Sequence, residues 1–136
     1  MADITKSSSA CAVDALYKKP RTRQAGAEIA NGDACYIDSN GRLQLAVSTV
    51  WLVTGTTGQV AFDGLAANDI PSGTYGEIFG DGAEFEYSTG MTIGLALWVS
   101  NTAGKLADAR VAAAGTDQPV AIVRSATVIE LVRGVK

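Results

Sequence analysis

Histidine is missing from this chain altogether. Its absence removes the commonest general base and the commonest metal ligand together, and no Ser-His or Cys-His nucleophile system can be assembled without it. The two cysteines, Cys11 and Cys35, are too few for a disulfide framework and form no CxxC pair, which points to free thiols in a protein made in a reducing cytosol. Charge is scarce as well: 18% of residues are charged against 47% apolar, enough apolar material for a core but little charge to keep a free surface soluble. That balance favours an assembled state. Long apolar runs are also absent. No segment approaches the ~20 apolar residues of a membrane span, and the opening Met-Ala-Asp-Ile-Thr-Lys lacks the apolar stretch of a signal peptide, so no membrane partner is expected. A chain of 136 residues suits one domain.

Lysine and arginine are missing between residues 43 and 104, where Asp63, Asp69, Glu77, Asp81, Glu84 and Glu86 all fall. Residues 1–25 instead hold Lys6, Lys18, Lys19, Arg21 and Arg23 against Asp3 and Asp14, a net +3 that leaves −6 for residues 26–136. A basic arm precedes an acidic body, and such a body repels nucleic acid.

What the chain does have is a pattern written twice. Gly32-Asp-Ala-Cys-Tyr-Ile-Asp-Ser-Asn-Gly-Arg-Leu43 returns, one residue longer, as Gly94-Leu-Ala-Leu-Trp-Val-Ser-Asn-Thr-Ala-Gly-Lys-Leu106. In each copy an aromatic and a β-branched residue (Tyr36-Ile37, Trp98-Val99) lead into a polar cluster, then Gly-basic-Leu restarts a strand: a β-hairpin in miniature. Gly41 and Gly104 are expected at positive φ. Around these copies the signals are β throughout. Strands are predicted at 59–62, 118–123 and 126–132, a loop at 63–73, and an Asp81-Gly82 hairpin joining 74–79 to 83–87. Residues 106–114 read as a helical turn or two, and 9–17 as another, with Ser9 as cap, Val13, Leu16 and Tyr17 on one side and Pro20 as its stop. The fold class is therefore all-β, a small barrel or sandwich of short antiparallel strands and hairpins in residues 26–136. Residues 1–25 form an arm, either a tail or a segment that orders on a partner.

Chemistry is sparse. Asp38-Ser-Asn-Gly41 and Asp81-Gly82 share features with calcium loops, but a third oxygen ligand is missing before the glycine and Arg42 would repel a cation. Gly104-Lys105 lacks the rest of a phosphate-binding loop. Glu84 and Glu86 share a strand face as glycosidase carboxylates could, yet alternation with Ala83, Phe85 and Tyr87 turns them toward water. Trp51, Trp98 and Tyr36 read as packing or subunit-interface residues rather than ligand platforms. No catalytic residue, cofactor or metal is expected, and a small hydrolase is only a residual reading.

Taken in order, Ala25-Gly-Ala-Glu-Ile-Ala-Asn-Gly-Asp-Ala-Cys-Tyr-Ile-Asp-Ser-Asn-Gly-Arg-Leu, Asp69-Ile-Pro-Ser-Gly-Thr-Tyr-Gly-Glu-Ile-Phe-Gly-Asp-Gly, Gly90-Met-Thr-Ile-Gly-Leu-Ala-Leu-Trp-Val-Ser-Asn-Thr-Ala-Gly-Lys-Leu and Gln118-Pro-Val-Ala-Ile-Val resemble the capsid decoration, or cement, proteins of tailed bacteriophages. The likeness covers about residues 25–132. It departs after the first hairpin, where Val50-Trp-Leu-Val-Thr-Gly-Thr-Thr-Gly stands in place of the family's Val-Gly-Ile/Val-Ala strand. The resemblance implies a non-enzymatic virion protein, made in the host cytoplasm, that clips as a homotrimer onto the outer surface of a capsid. Its partner would be the major capsid protein, and it would bridge capsomers. The basic arm, with Leu16, Tyr17, Lys18, Lys19, Arg21 and Arg23, supplies the candidate capsid contacts. The alternative is a head- or tail-fibre component contacting a host surface.

Overall fold

The computed structural model describes residues 3–6, 11–12, 21–50, 60–110 and 117–134. Among them are eleven short strands and no helix: β1 (Cys11–Ala12), β2 (Arg21–Gln24), β3 (Ala34–Ile37), β4 (Leu43–Leu45), β5 (Gly64–Ala66), β6 (Tyr75–Phe79), β7 (Glu84–Glu86), β8 (Ala96–Val99), β9 (Leu106–Ala107), β10 (Ala121–Val123) and β11 (Val128–Leu131). They form two antiparallel sheets, one ordered β2-β6-β5-β3-β4 and the other β1-β7-β11-β10-β8-β9.

Strand alternation explains how the sheets pack, because successive side chains leave a strand on opposite faces. In β3, Ala34 and Tyr36 join the larger apolar cluster, while Cys35 and Ile37 turn to a smaller one with Ala25, Ile29, Leu43, Ala66, Ile70 and Ile78. The larger cluster lies between the sheets. Leu65 and Phe79 enter it from the five-stranded sheet and Phe85, Leu97, Val99, Val123, Ile129 and Leu131 from the six-stranded one. The five-stranded sheet is thus apolar on both faces, and it curls around the smaller cluster until its edges meet in a parallel bridge between Ala25 and Leu43. Each fully buried leucine, isoleucine or phenylalanine contributes roughly 1.5–3 kcal/mol relative to exposure, so these two clusters are the main source of stability.

Both copies of the repeated pattern are hairpins, and each puts its second strand at an edge of its sheet: β3 with β4 (Cys35 opposite Leu45, Ile37 opposite Leu43) and β8 with β9 (Trp98 opposite Ala107, Val99 opposite Leu106). The turn of the second hairpin docks against the open end of the first, with Ala34 N donating to Gly104 O at 2.9 Å and Gly104 N to Ala46 O at 2.8 Å. Gly41 (φ 77°) and Gly104 (φ 81°) both take the expected positive φ. Their surroundings differ. A Cβ on Gly41 would meet open space, whereas one on Gly104 would lie 3.2 Å from both Asp33 Cγ and Leu45 Cδ2. Gly41→Ala is therefore expected to cost about 1–2 kcal/mol in backbone strain alone. Gly104→Ala is expected to cost more, because Asp33 and Leu45 must each give by a few tenths of an ångström, and equal urea midpoints for the two variants would count against this packing.

Five expectations are corrected. Where a strand is expected at 59–62, Val60 makes only an isolated bridge and residues 61–62 belong to no strand. The Asp81-Gly82 turn forms, with Ala83 N donating to Gly80 O at 3.0 Å, but it joins no hairpin: β6 belongs to one sheet and β7 to the other. The turn carries the chain across the sandwich, because Phe79 and Phe85 meet edge to face in the core (centroids 6.3 Å apart, 69° between planes) while β7 pairs with β11. The loop expected at 63–73 contains β5. Asp63 N donates to Cys35 O at 2.8 Å and Ile37 N to the Asp63 carboxylate at 2.7 Å, which keys this stretch to β3. Within 106–114, Leu106–Ala107 is strand β9 rather than helix, and residues 111–116 lie outside the described residues, as does most of 9–17. Finally, parts of the 1–25 segment belong to the body. Strand β1 pairs with β7, strand β2 pairs with β6 along its full length from Arg21 to Gln24, and Asp3 bridges Ala107 beside β9.

Candidate interaction surface

Residues 3–6 lie along the free side of β9, with Ile4 N donating to Leu106 O at 2.9 Å. Side chains hold the segment at each step: Ser100 Oγ donates to the Asp3 carboxylate, Ser88 Oγ to Thr5 O, and Lys6 Nζ to Asn31 O and, at 3.0 Å, to Asp33 Oδ1. The Lys6 and Asp33 side chains are each only 10% exposed. Asp33 is a hub: its other carboxylate oxygen accepts from Ala30 N at 3.0 Å, Lys105 Nζ stands 4.0 Å away, and its carbonyl accepts from the Cys35 thiol. One carboxylate thus joins the N-terminal segment to the start of the first repeated hairpin and the turn of the second.

A second buried pair fixes the other end of the chain. Arg133 donates to Gln118 O at 3.0 Å and Val60 O at 2.6 Å and lies 3.6 Å from the Asp117 carboxylate, which accepts from Val60 N at 3.0 Å. Burial pushes the Arg133 guanidinium below its ordinary value, against Asp117 and Asp63, which raise it. At the surface, Asp38 organises the first hairpin turn by accepting from the Asn40 and Arg42 amides and from Gln44 Nε2. The Gln44 and backbone hydrogen bonds hold its carboxyl below the usual value. That contribution to stability is present above the unfolded carboxyl's pKa and is lost as pH falls through the lower folded value.

The buried thiol and phenol are both held protonated. Desolvation and then Asp33 push the Cys35 thiol well above its ordinary range, and burial does the same to the Tyr87 phenol. In a Cys11→Ser background, Cys35 is expected to resist a thiol reagent until the protein is unfolded. Labelling of the native protein at the rate of a free thiol would contradict its place in the core. Among the described residues no three Cys, Asp or Glu side chains are grouped to hold a metal ion, and no helix is long and apolar enough to cross a membrane.

The sequence-predicted residues are scattered rather than assembled. Arg21 and Arg23 are half-buried on β2, the outermost strand of its sheet, where Arg23 Nη1 donates to Thr22 O at 2.9 Å. Tyr36 packs against the larger core. Trp98 is half-buried on β8, on the face away from Leu97 and Val99, and its indole N–H finds no acceptor among the described residues. Leu16, Tyr17, Lys18, Lys19 and Trp51 lie outside the described residues. Sequence reading missed Asp33, Lys6, Asp117 and Arg133. One signal was available: Asp33 stands where the second copy of the repeat has Leu95, an acidic residue in an otherwise apolar register.

Compared with known protein families and with curated proteins, the chain matches no family model and no curated protein.

Proposed function

We propose that this protein is a structural virion component that binds the outer surface of a tailed-phage capsid as a homotrimer. There it reinforces contacts between capsomers of the major capsid protein and carries no enzymatic activity. The observation that carries this reading is the use made of buried ionic groups. Lys6–Asp33 and Arg133–Asp117 each fasten distant chain segments together. Such fastening suits a body that transmits load. The uneven charge adds support: Arg21 and Arg23 stand on an outermost strand, Lys18 and Lys19 precede them in the sequence, and the remainder of the chain is acidic. These cations, with Leu16 and Tyr17, are the proposed capsid contacts, and three copies around an axis turn modest contacts into tight attachment.

Deleting residues 1–23 would remove β1 and most of β2, so the better test is charge reversal. Lys18→Glu/Lys19→Glu protein is expected to fold as the parent does and to lose at least about tenfold in affinity for undecorated capsids, as when like charges are set against each other across an interface. Unchanged saturation binding would remove these residues from the contact.

A further inference from the structure

The dipeptide Asn-Gly occurs twice in the chain, as Asn31-Gly32 and Asn40-Gly41, once beyond each end of strand β3. The pair carries a reaction of its own, because a glycine has no side chain to keep its amide nitrogen away from the carbonyl of the preceding asparagine side chain. Both glycines have positive φ, 79° and 77°, and both amides donate, Gly32 N to Ala66 O at 2.8 Å and Gly41 N to Asp38 O at 2.9 Å. What differs is what must move to free them. Gly32 is buried and its acceptor lies on β5. Asn31 is held from several directions: its amide donates to Asp69 Oδ1 at 2.8 Å, its carbonyl accepts from Lys6 Nζ, and its side-chain oxygen is buried. Releasing the Gly32 amide means lifting this segment off the sheet. Gly41 bonds only across its own turn. Ser39 and Asn40 are exposed, and the space where a Cβ of Gly41 would lie is open. Opening such a turn costs little, since exposed loops sit at the low end of local unfolding free energies.

We propose that Asn40 is a site of spontaneous deamidation and that the fold protects Asn31 from the same reaction. The Gly41 nitrogen forms a bond to Asn40 Cγ, the bond from Cγ to the side-chain nitrogen breaks, and ammonia leaves with the proton from the Gly41 amide. The cyclic imide takes up water and opens at either carbonyl, to aspartate or to isoaspartate. Nothing is oxidised or reduced, and the net exchange is water in and ammonia out. Each product puts a new carboxylate beside Asp38 at the tip of the first hairpin. Isoaspartate also routes the backbone through Cβ and Cγ, one atom longer, between the Asn40 amide and those of Gly41 and Arg42, all three of which donate to Asp38. The added atom puts those bonds out of register. The reaction needs only this turn, so it is independent of what the body binds.

The test holds the folded, full-length protein in mildly alkaline buffer made with water enriched in heavy oxygen, and follows it over weeks by peptide mapping beside the same protein in urea. In the folded protein the Asn40 peptide is expected to convert to both acids, each with a single heavy oxygen, at least about tenfold faster than the Asn31 peptide. In urea, where the fold no longer distinguishes the two sites, their rates are expected to lie within about threefold of each other. Conversion should quicken as pH rises, because the attacking form is the deprotonated amide nitrogen. The proposal is overturned if Asn40 stays intact in the folded protein while the unfolded chain converts, or if Asn31 keeps pace with Asn40 in the folded protein. It is equally overturned if aspartate forms with no isoaspartate, which would mean direct hydrolysis of the side chain rather than attack by Gly41.

Discussion

Asp33→Ala is expected to destabilise the fold by about 3–5 kcal/mol, as removing one member of a buried ion pair does. The side chain is buried and serves three segments at once: the Lys6 ammonium, the Ala30 amide and, at longer range, Lys105. Truncation leaves Lys6 charged in a site with little water and the Ala30 N–H without its acceptor. Lys6→Met should cost less, because Asp33 keeps Lys105 and the backbone amide, and adding it to Asp33→Ala should recover part of the loss. Urea midpoints of the two single variants and the double variant provide the test. A loss below about 1 kcal/mol for Asp33→Ala would mean that the pair is screened by water as surface pairs are.

Phe85→Ala should be of similar size, about 3–5 kcal/mol, for a different reason. The ring is fully buried, meets Phe79 edge to face, and sits where the chain has just crossed from one sheet to the other. Its removal leaves a cavity between two sheets whose strands are held in separate ladders, so neither sheet can close the gap without breaking its own register. Phe85→Leu should return most of the loss. If Phe85→Ala cost no more than a surface substitution, the larger cluster could not be the joint between the sheets.

The features legible in the sequence are those encoded locally. Turn chemistry and alternation marked both repeated hairpins, down to the positive φ at Gly41 and Gly104, because a tight turn makes the same backbone demand wherever it occurs. The Asp81-Gly82 turn was equally legible as a turn, but turn propensity says nothing about which ladder the next strand joins. That choice was made by Phe79 and Phe85 and by the pairing of β7 with β11. The place of residues 3–6 was hidden for a related reason. So short a segment buries little apolar area and is held by a backbone hydrogen bond to β9, by serine hydroxyls and by one ion pair to a residue 27 positions away, none of which leaves a mark on composition. Arg21 and Arg23 looked like part of a basic arm. Their strand is the outermost of its sheet, where charged side chains discourage unwanted pairing.

The central claim is mechanical, and the direct measurement is the temperature at which DNA-filled phage heads rupture, followed by DNA release, with the protein stripped off and then added back. Readdition is expected to saturate at a fixed number of copies per capsid and to raise the rupture temperature in step with occupancy, the Lys18→Glu/Lys19→Glu protein doing so only at higher concentration. Failure of the protein to co-sediment with heads, or saturation with no change in rupture temperature, would contradict a capsid-reinforcing role.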